Sequence, residues 1–301
     1  MAATTLTRYA WWSLGVAVLT ILLKLTAYLM TGSVGLLSDA LESVVNVVGA
    51  ALALWMIALA AKPPDEDHAY GHFKAEYFSS GAEGLLIMGA ALSILWESVN
   101  RLVYPHPIQS IPLGLLLSGV ATALNLAMGL WLIRVGRLNE SVSLQANGEH
   151  LLTDVWTTVG VIVGLLAMQL TGQVWWDPVL GLIMALHILW TGYQLVRGAA
   201  LGLMDTALPE AERRMVCDIL DRYKNEGAQY HALRTRQSGV RRFVSVHVLV
   251  PGEWTVHRGH QLLERIEADV RSALGTVTVF THLESLEDET SWHDQELDRT
   301  F

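Results

Sequence analysis

Six stretches of this chain are apolar over lengths that can cross a membrane, and no other feature limits the fold as strongly. They run roughly over residues 9–30, 33–60, 78–103, 111–134, 142–170 and 177–201. At 1.5 Å per residue, a helix of about 20 residues covers a hydrocarbon core about 30 Å thick. Lipid offers the backbone no hydrogen-bond partner, so each stretch is expected to be a helix. Apolar and aromatic residues make up 52% of the chain, too many for an ordinary soluble domain. Arg8, Lys62, Lys74, Arg134, Arg137 and Arg197 flank the spans on one side, and Arg101 alone borders the other. That bias places both termini in the cytoplasm. The run from Tyr9 is of full spanning length, unlike a cleaved signal.

The net charge of -9 argues against nucleic acid as a partner, and most of the excess acid follows Glu210. The single cysteine, Cys217, excludes an intramolecular disulfide and a cysteine-rich metal site. Metal ligands must therefore come from His, Asp, Glu or Asn.

The polar residues inside the spans carry the chemistry, because ionisable groups there are costly and usually functional. In the fifth span His150 and Asp154 are four residues apart, on one helix face. Imidazole and carboxylate side by side make half of a divalent-metal site. Glu42 and Asn46 repeat the spacing in the second span. Two facing helices could then offer four N/O ligands; a polar contact between helices is the plainer alternative. Lys24 lies near the middle of the first span and must snorkel or find a carboxylate. Asp39 shares a face with Glu42 and reads as a supporting acceptor or a lining of the water path. Glu83 and Glu97 bracket the third span, Asn125 reads as a contact between helices, and His187 as a hydrogen-bonded core histidine. Asp177-Pro178 has the pattern of a helix start, with Asp as its cap.

Pro63-Pro64 ends the second span. The loop after it holds Asp65, His68 and His72, a carboxylate and two imidazoles within eight residues. Such a set can hold zinc weakly, although a solvated charged loop would look the same. After Leu208-Pro209 the chain turns soluble in character. Helical patterns over 210–225 and 256–274 alternate with strand patterns over 230–237, 242–250 and 276–285, an αββαβ order with two helices on one sheet face. In the middle strand Val244, Val246, Val248 and Val250 face one way, and Phe243, Ser245 and His247 the other. The strands carry His231, His247 and His282, with Glu284 on the face of His282; the second helix carries His260. These are a candidate metal cluster. The acidic tail reads as disordered. The expected division is a six-helix transport domain over 1–208, a cytoplasmic metal-binding and dimerisation domain over 209–290, and a tail over 291–301.

The segments Ser33-Val34-Gly35-Leu36-Leu37-Ser38-Asp39-Ala40, Pro64 to Glu76, His150-Leu151-Leu152-Thr153-Asp154 and His231 to Gly239 together resemble the cation diffusion facilitator family, in particular its bacterial YiiP-type metal/proton antiporters. The resemblance covers nearly the whole chain. It implies an α-helical membrane protein with six transmembrane helices and a C-terminal cytoplasmic α/β domain of metallochaperone-like αββαβ fold, forming a homodimer in a bacterial inner membrane. It puts a tetrahedral transport site on Glu42, Asn46, His150 and Asp154, and a loop site on Asp65, His68 and His72. A cytoplasmic site falls on His231, His247, His260 and His282, with Glu284 where the family has Asp. The resemblance also implies a charge interlock at the dimer interface, close to the membrane face, pairing Lys74 with Asp205. The second-helix pair departs from the family, which has Asp or His first and Asp second. Glu reaches about one methylene further than Asp, and Asn is neutral, so the site has two carboxylates where the family pattern has three.

The resemblance implies a secondary transporter that exports divalent metal, zinc first and iron, cadmium, manganese or cobalt as alternatives, in exchange for protons. Partners are then the lipid bilayer, a second copy of the chain, metal ions and protons, and zinc is both substrate and regulatory ligand. The chain has no P-loop lysine to draw on a nucleotide and no His-Glu-x-x-His of a zinc hydrolase, so it is not expected to be an enzyme. A membrane metal sensor or scaffold without transport is the alternative.

Overall fold

The computed structural model describes residues 2–105, 108–138 and 142–293. Six long helices come first: α1 (Ala2–Thr31), α2 (Val34–Ala60), α3 (Ala75–Val103), α4 (Ile111–Leu138), α5 (Val142–Thr171) and α6 (Trp176–Leu203). All six are long and apolar enough to cross a membrane. The ends of α1, α3, α4 and α5 run past the apolar windows, since a helix keeps its own backbone bonds outside the hydrocarbon as well. The soluble part follows as α7 (Glu210–Arg222), β1 (Gln229–Ser238), β2 (Arg241–Val250), α8 (Val256–Leu274) and β3 (Val277–Ser285), the αββαβ order read from the sequence. From residue 294 the expected tail lies outside the described residues.

The chain forms two compact units. One comprises residues 1–54 and 80–196; the other comprises 55–79 and 197–301.

In the helical unit, glycines let helix backbones approach. A Cβ added to Gly148 of α5 would meet the carbonyl oxygen of Gly129 on α4 at 2.7 Å, and one on Gly84 of α3 would meet that of Gly192 on α6 at 2.9 Å. Lipid supplies no hydrophobic drive between helices, so this close packing is what holds them.

The start of α2 depends on a residue far away in sequence. Asp177 is buried, and its carboxylate accepts hydrogen bonds from the Ser33 hydroxyl, from Val34 N at 2.8 Å and from Gly35 N at 3.2 Å. These N–H groups have no acceptor within their own helix. The Asp177 carboxylate, expected to cap α6, thus caps α2 instead.

In the other unit the sheet order is β1-β2-β3, with β1 antiparallel and β3 parallel to β2. Val244, Val246, Val248 and Val250 form one core with Val216, Ile219, Leu262, Ile266 and Val270 of the two helices. The alternation in β2 therefore places the helices on the valine face. The opposite face is covered in part by the loop after α2: the Tyr70 ring lies 6.0 Å from Phe243 and 6.2 Å from Phe280, with the Arg236 guanidinium 5.3 Å above it.

Replacing Asp177 by Ala should strand the first N–H groups of α2 and cost about 1–3 kcal/mol. Thermal unfolding of the detergent-purified protein checks this; an unchanged midpoint would show that α2 needs no such cap.

Candidate metal centres and the family they define

The predicted residues of the membrane spans fall around two cavities. Asn46 of α2 and His150 and Asp154 of α5 line one of about 530 Å³, together with Ser43. Glu42 lines the other, of about 160 Å³, again with Asn46. Asn46 borders both, whereas Glu42 does not line the cavity of His150 and Asp154.

Beside these cavities lies a buried ion pair. Lys24 Nζ donates to Asp39 Oδ1 at 2.8 Å and to Ser43 Oγ at 2.9 Å, and both members of the pair are 1% exposed. Thr158 Oγ1 sits 2.9 Å from the same carboxylate oxygen and 2.8 Å from the Asp154 carbonyl. One ammonium thus joins α1 to α2, and one hydroxyl continues the connection to the turn of α5 that carries Asp154. Asp39 Oδ2 is buried without a hydrogen-bond partner. Of the two options for Lys24, it takes the carboxylate rather than snorkelling. Glu97 pairs with Arg101 at 3.1 Å.

The loop residues come together. Asp65 Oδ1 accepts from His68 N at 2.7 Å, and Asp65 Oδ2 lies 3.4 Å from His72 Nε2. Gly71, at φ +85°, allows the turn that brings the two imidazole rings to a centroid distance of 4.3 Å, tilted by 39°. Each of the three residues offers a ligand atom within 4.8 Å of the others. His72 Nδ1 is buried and has no hydrogen-bond partner. Desolvation pushes the Asp65 carboxyl up, but hydrogen bonds from the His68 backbone and ring and the nearby imidazoles outweigh it and hold the group below its ordinary value.

On the sheet, register aligns three histidines in a row: His231 on β1 faces His247 on β2, which faces His282 on β3. A bulge between His231 and Arg234, with Ala232 at φ +48°, bends β1 beside the row. Glu284 lies under them, with carboxylate oxygens 2.8 Å from His231 Nε2, 3.1 Å from His247 Nδ1 and 3.5 Å from His282 Nε2. His231, His247 and Glu284 each offer a ligand atom within 4.8 Å of the others. Two imidazoles and a carboxylate suit zinc. His282 is 58% exposed at the edge of the group, and His260 is exposed on α8 and lies outside it.

Lys74 Nζ lies 2.9 Å from Asp205 Oδ1, and Arg236 reaches the same oxygen at 3.1 Å. Burial pushes the Asp205 carboxyl up, but hydrogen bonds and charge from Lys74 and Arg236 prevail and hold it below its ordinary value of 3.8. Sequence reasoning paired Asp205 with Lys74 and missed Arg236, whose strand position gave no sign of its reach.

Six helices apolar enough to cross a membrane, followed in the chain by a small sheet domain with clustered histidines, are the build of a multi-pass membrane protein with a soluble domain. The model of the cation efflux transmembrane domain matches residues 10–204, and that of the cation efflux protein cytoplasmic domain matches 208–286. An uncharacterized transporter of Synechocystis, sll1263, is 47% identical over 97% of this chain and 94% of its own. The cation-efflux pump FieF of Klebsiella pneumoniae is 29% identical over 82% of each. The metal-bound C-terminal domain of the CzcD transporter from Thermotoga maritima is 22% identical, covering 27% of this chain and 99% of that one at a TM-score of 0.25. The chain belongs to the cation efflux family and is a multi-pass membrane protein.

Two outcomes test the geometry. Lys24→Met should leave Asp39 buried and unpaired and cost about 3–5 kcal/mol, and adding Asp39→Asn should recover much of it. Unfolding of the two variants measures this; a cost in the double variant equal to the sum of the singles would contradict the coupling. Asp205→Asn keeps the backbone, because Asn tolerates the φ of +56° at this position. A depressed carboxyl stabilises above its unfolded value, and the contribution is lost as pH falls through the folded one. The stability gap to the wild type should therefore be constant at neutral pH, amount to less than about 1 kcal/mol for so exposed a pair, and close below about pH 4. A gap that persists into acid would assign the effect to packing.

Proposed function

We propose that this chain is a secondary transporter that exports divalent transition metal, zinc foremost, from the cytoplasm in exchange for protons, working as a homodimer in a bacterial inner membrane with both termini in the cytoplasm. The observation that carries this reading is the shared cavity of Asn46, His150 and Asp154 inside the helical unit. Imidazole, carboxylate and amide oxygen suit first-row divalent cations. His150 must be neutral to coordinate, so metal and proton compete for the same nitrogen. On the cytoplasmic side, near-neutral pH favours metal loading. On the outer side, protonation of His150 and of a carboxylate favours release. Rocking of helices about the site would close one side while opening the other.

Glu42, Asn46, His150 and Asp154 are the proposed cargo ligands. Asp65, His68 and His72 in the loop, and His231, His247 and Glu284 with His282 on the sheet, would hold regulatory metal. Bound there, the metal would tie strands to one another and stabilise the form of the soluble domain that holds the site. His260 would need to move to join it. The Lys74–Asp205 pair is the proposed gating contact of the dimer.

In proteoliposomes, His150→Ala and Asp154→Ala should each abolish zinc flux while the protein remains folded. Wild-type flux in either would remove the site from the mechanism. Asn46→Asp should bind zinc more tightly and need a lower pH to release it, because one more anion must be protonated. Equal affinity and pH dependence would place Asn46 outside the ligand set.

A further inference from the structure

The smaller cavity holds a histidine that the cargo site described above does not use. His187 on α6 lines it, facing Glu42 and Asn46 on α2, with Thr153 of α5, Ile87 of α3 and Thr191 of α6 completing the wall. The expectation of a hydrogen-bonded core histidine fails: His187 is exposed, and its imidazole has no hydrogen bond among the described residues. The Thr191 hydroxyl donates to the His187 backbone carbonyl at 3.1 Å, not to the imidazole. Across the cavity, Glu42 Oε2 is buried without a hydrogen-bond partner. A buried carboxylate oxygen with no donor is costly, and an imidazole in a membrane span without a partner is unusual. One cation between them would satisfy both.

Position 46 gives the cavity its place in the pathway. Asn46 borders this cavity and the one that holds His150 and Asp154. Two imidazole–carboxylate pairs, His187 with Glu42 and His150 with Asp154, thus stand on either side of a neutral amide. A site that passes ions must bind them well enough to admit them and weakly enough to release them. A third carboxylate at position 46 would deepen the well where the two cavities meet, whereas an amide oxygen can hand a cation on. Gly49, one turn further along α2, leaves room for another carboxylate: a Cβ there would meet the Glu83 carboxyl carbon at 2.7 Å.

We propose that His187 and Glu42, with Asn46 shared, form a second subsite for a divalent transition-metal cation in the cavity between α2, α3, α5 and α6. This rests on the reading of the chain as a metal transporter. Glu42, one of the proposed cargo ligands, then acts from this subsite, and Asn46 joins it to the pair on α5.

Cobalt(II) and one cysteine substitution test the proposal in the full-length protein. In H187C/C217S, position 187 carries the chain's one thiol. Cobalt should give a thiolate-to-cobalt charge-transfer absorption, which C217S alone lacks and which disappears when E42A is added. Metal held at the loop or on the sheet gives no such band, so those sites do not interfere. His187→Ala in the otherwise native chain should weaken the apparent affinity for transported zinc by at least about tenfold. No charge-transfer band in folded H187C/C217S, or a band that survives E42A, overturns the subsite. Zinc flux in wild-type proteoliposomes separates the two claims. Flux without the band leaves the transporter standing and removes the subsite, and no flux in the wild type removes the transporter itself.

Discussion

The ammonium of Lys24 on the carboxylate of Asp39 is the contact on which the membrane unit turns. A single buried charge in lipid has no solvent to fall back on, so each member of this pair holds the other in place. The consequences spread over three helices. Asp39 is committed to Lys24 and Thr158. Ser43 is drawn to the same ammonium, and Thr158 links it to the turn that carries Asp154. The pair thus sets the relation of α1, α2 and α5 while leaving His150 and Asp154 facing an open cavity. The Lys24–Asp39 charges balance each other within the protein, while Asp39 Oδ2 and Glu42 Oε2 stay buried without a hydrogen-bond partner.

The soluble unit reaches its donor groups by another route. Register, not proximity in sequence, puts His231, His247 and His282 in one row, and a single carboxylate under them serves all three. In the loop, one aspartate collects two histidines through a turn that a glycine permits. The sheet group sits on paired strands, so binding metal there would mainly cost dehydration and little ordering of chain.

Hydropathy made the six helices legible, because a run of twenty apolar residues has one stable form in lipid. Period-two alternation did the same for β2, whose valines face the helices. Helix ends were less legible: α1 begins at Ala2, and the soluble helix expected over 210–225 gives way at Tyr223 to a tighter turn. Partnerships were the least legible. The i, i+4 spacing put His150 beside Asp154 and Glu42 beside Asn46, and family resemblance joined the two pairs into one site, but spacing along one helix does not say which side of α2 each residue serves. Asp177 has the signature of a cap for its own helix, yet its acceptors meet α2, 142–144 residues away. Lys24 called for a carboxylate, and only the packing of α1 on α2 decided which. His187 left no mark apart from being an ionisable residue in a span.

In the proposed exchange, metal and protons move in opposite directions through this chain. Wild-type protein in liposomes, with a zinc reporter and a pH reporter inside, tests it most directly. Under such exchange an imposed proton gradient should drive zinc the opposite way, and added zinc should move protons against its own flow. Zinc movement that ignores the gradient and leaves the internal pH unchanged would contradict it.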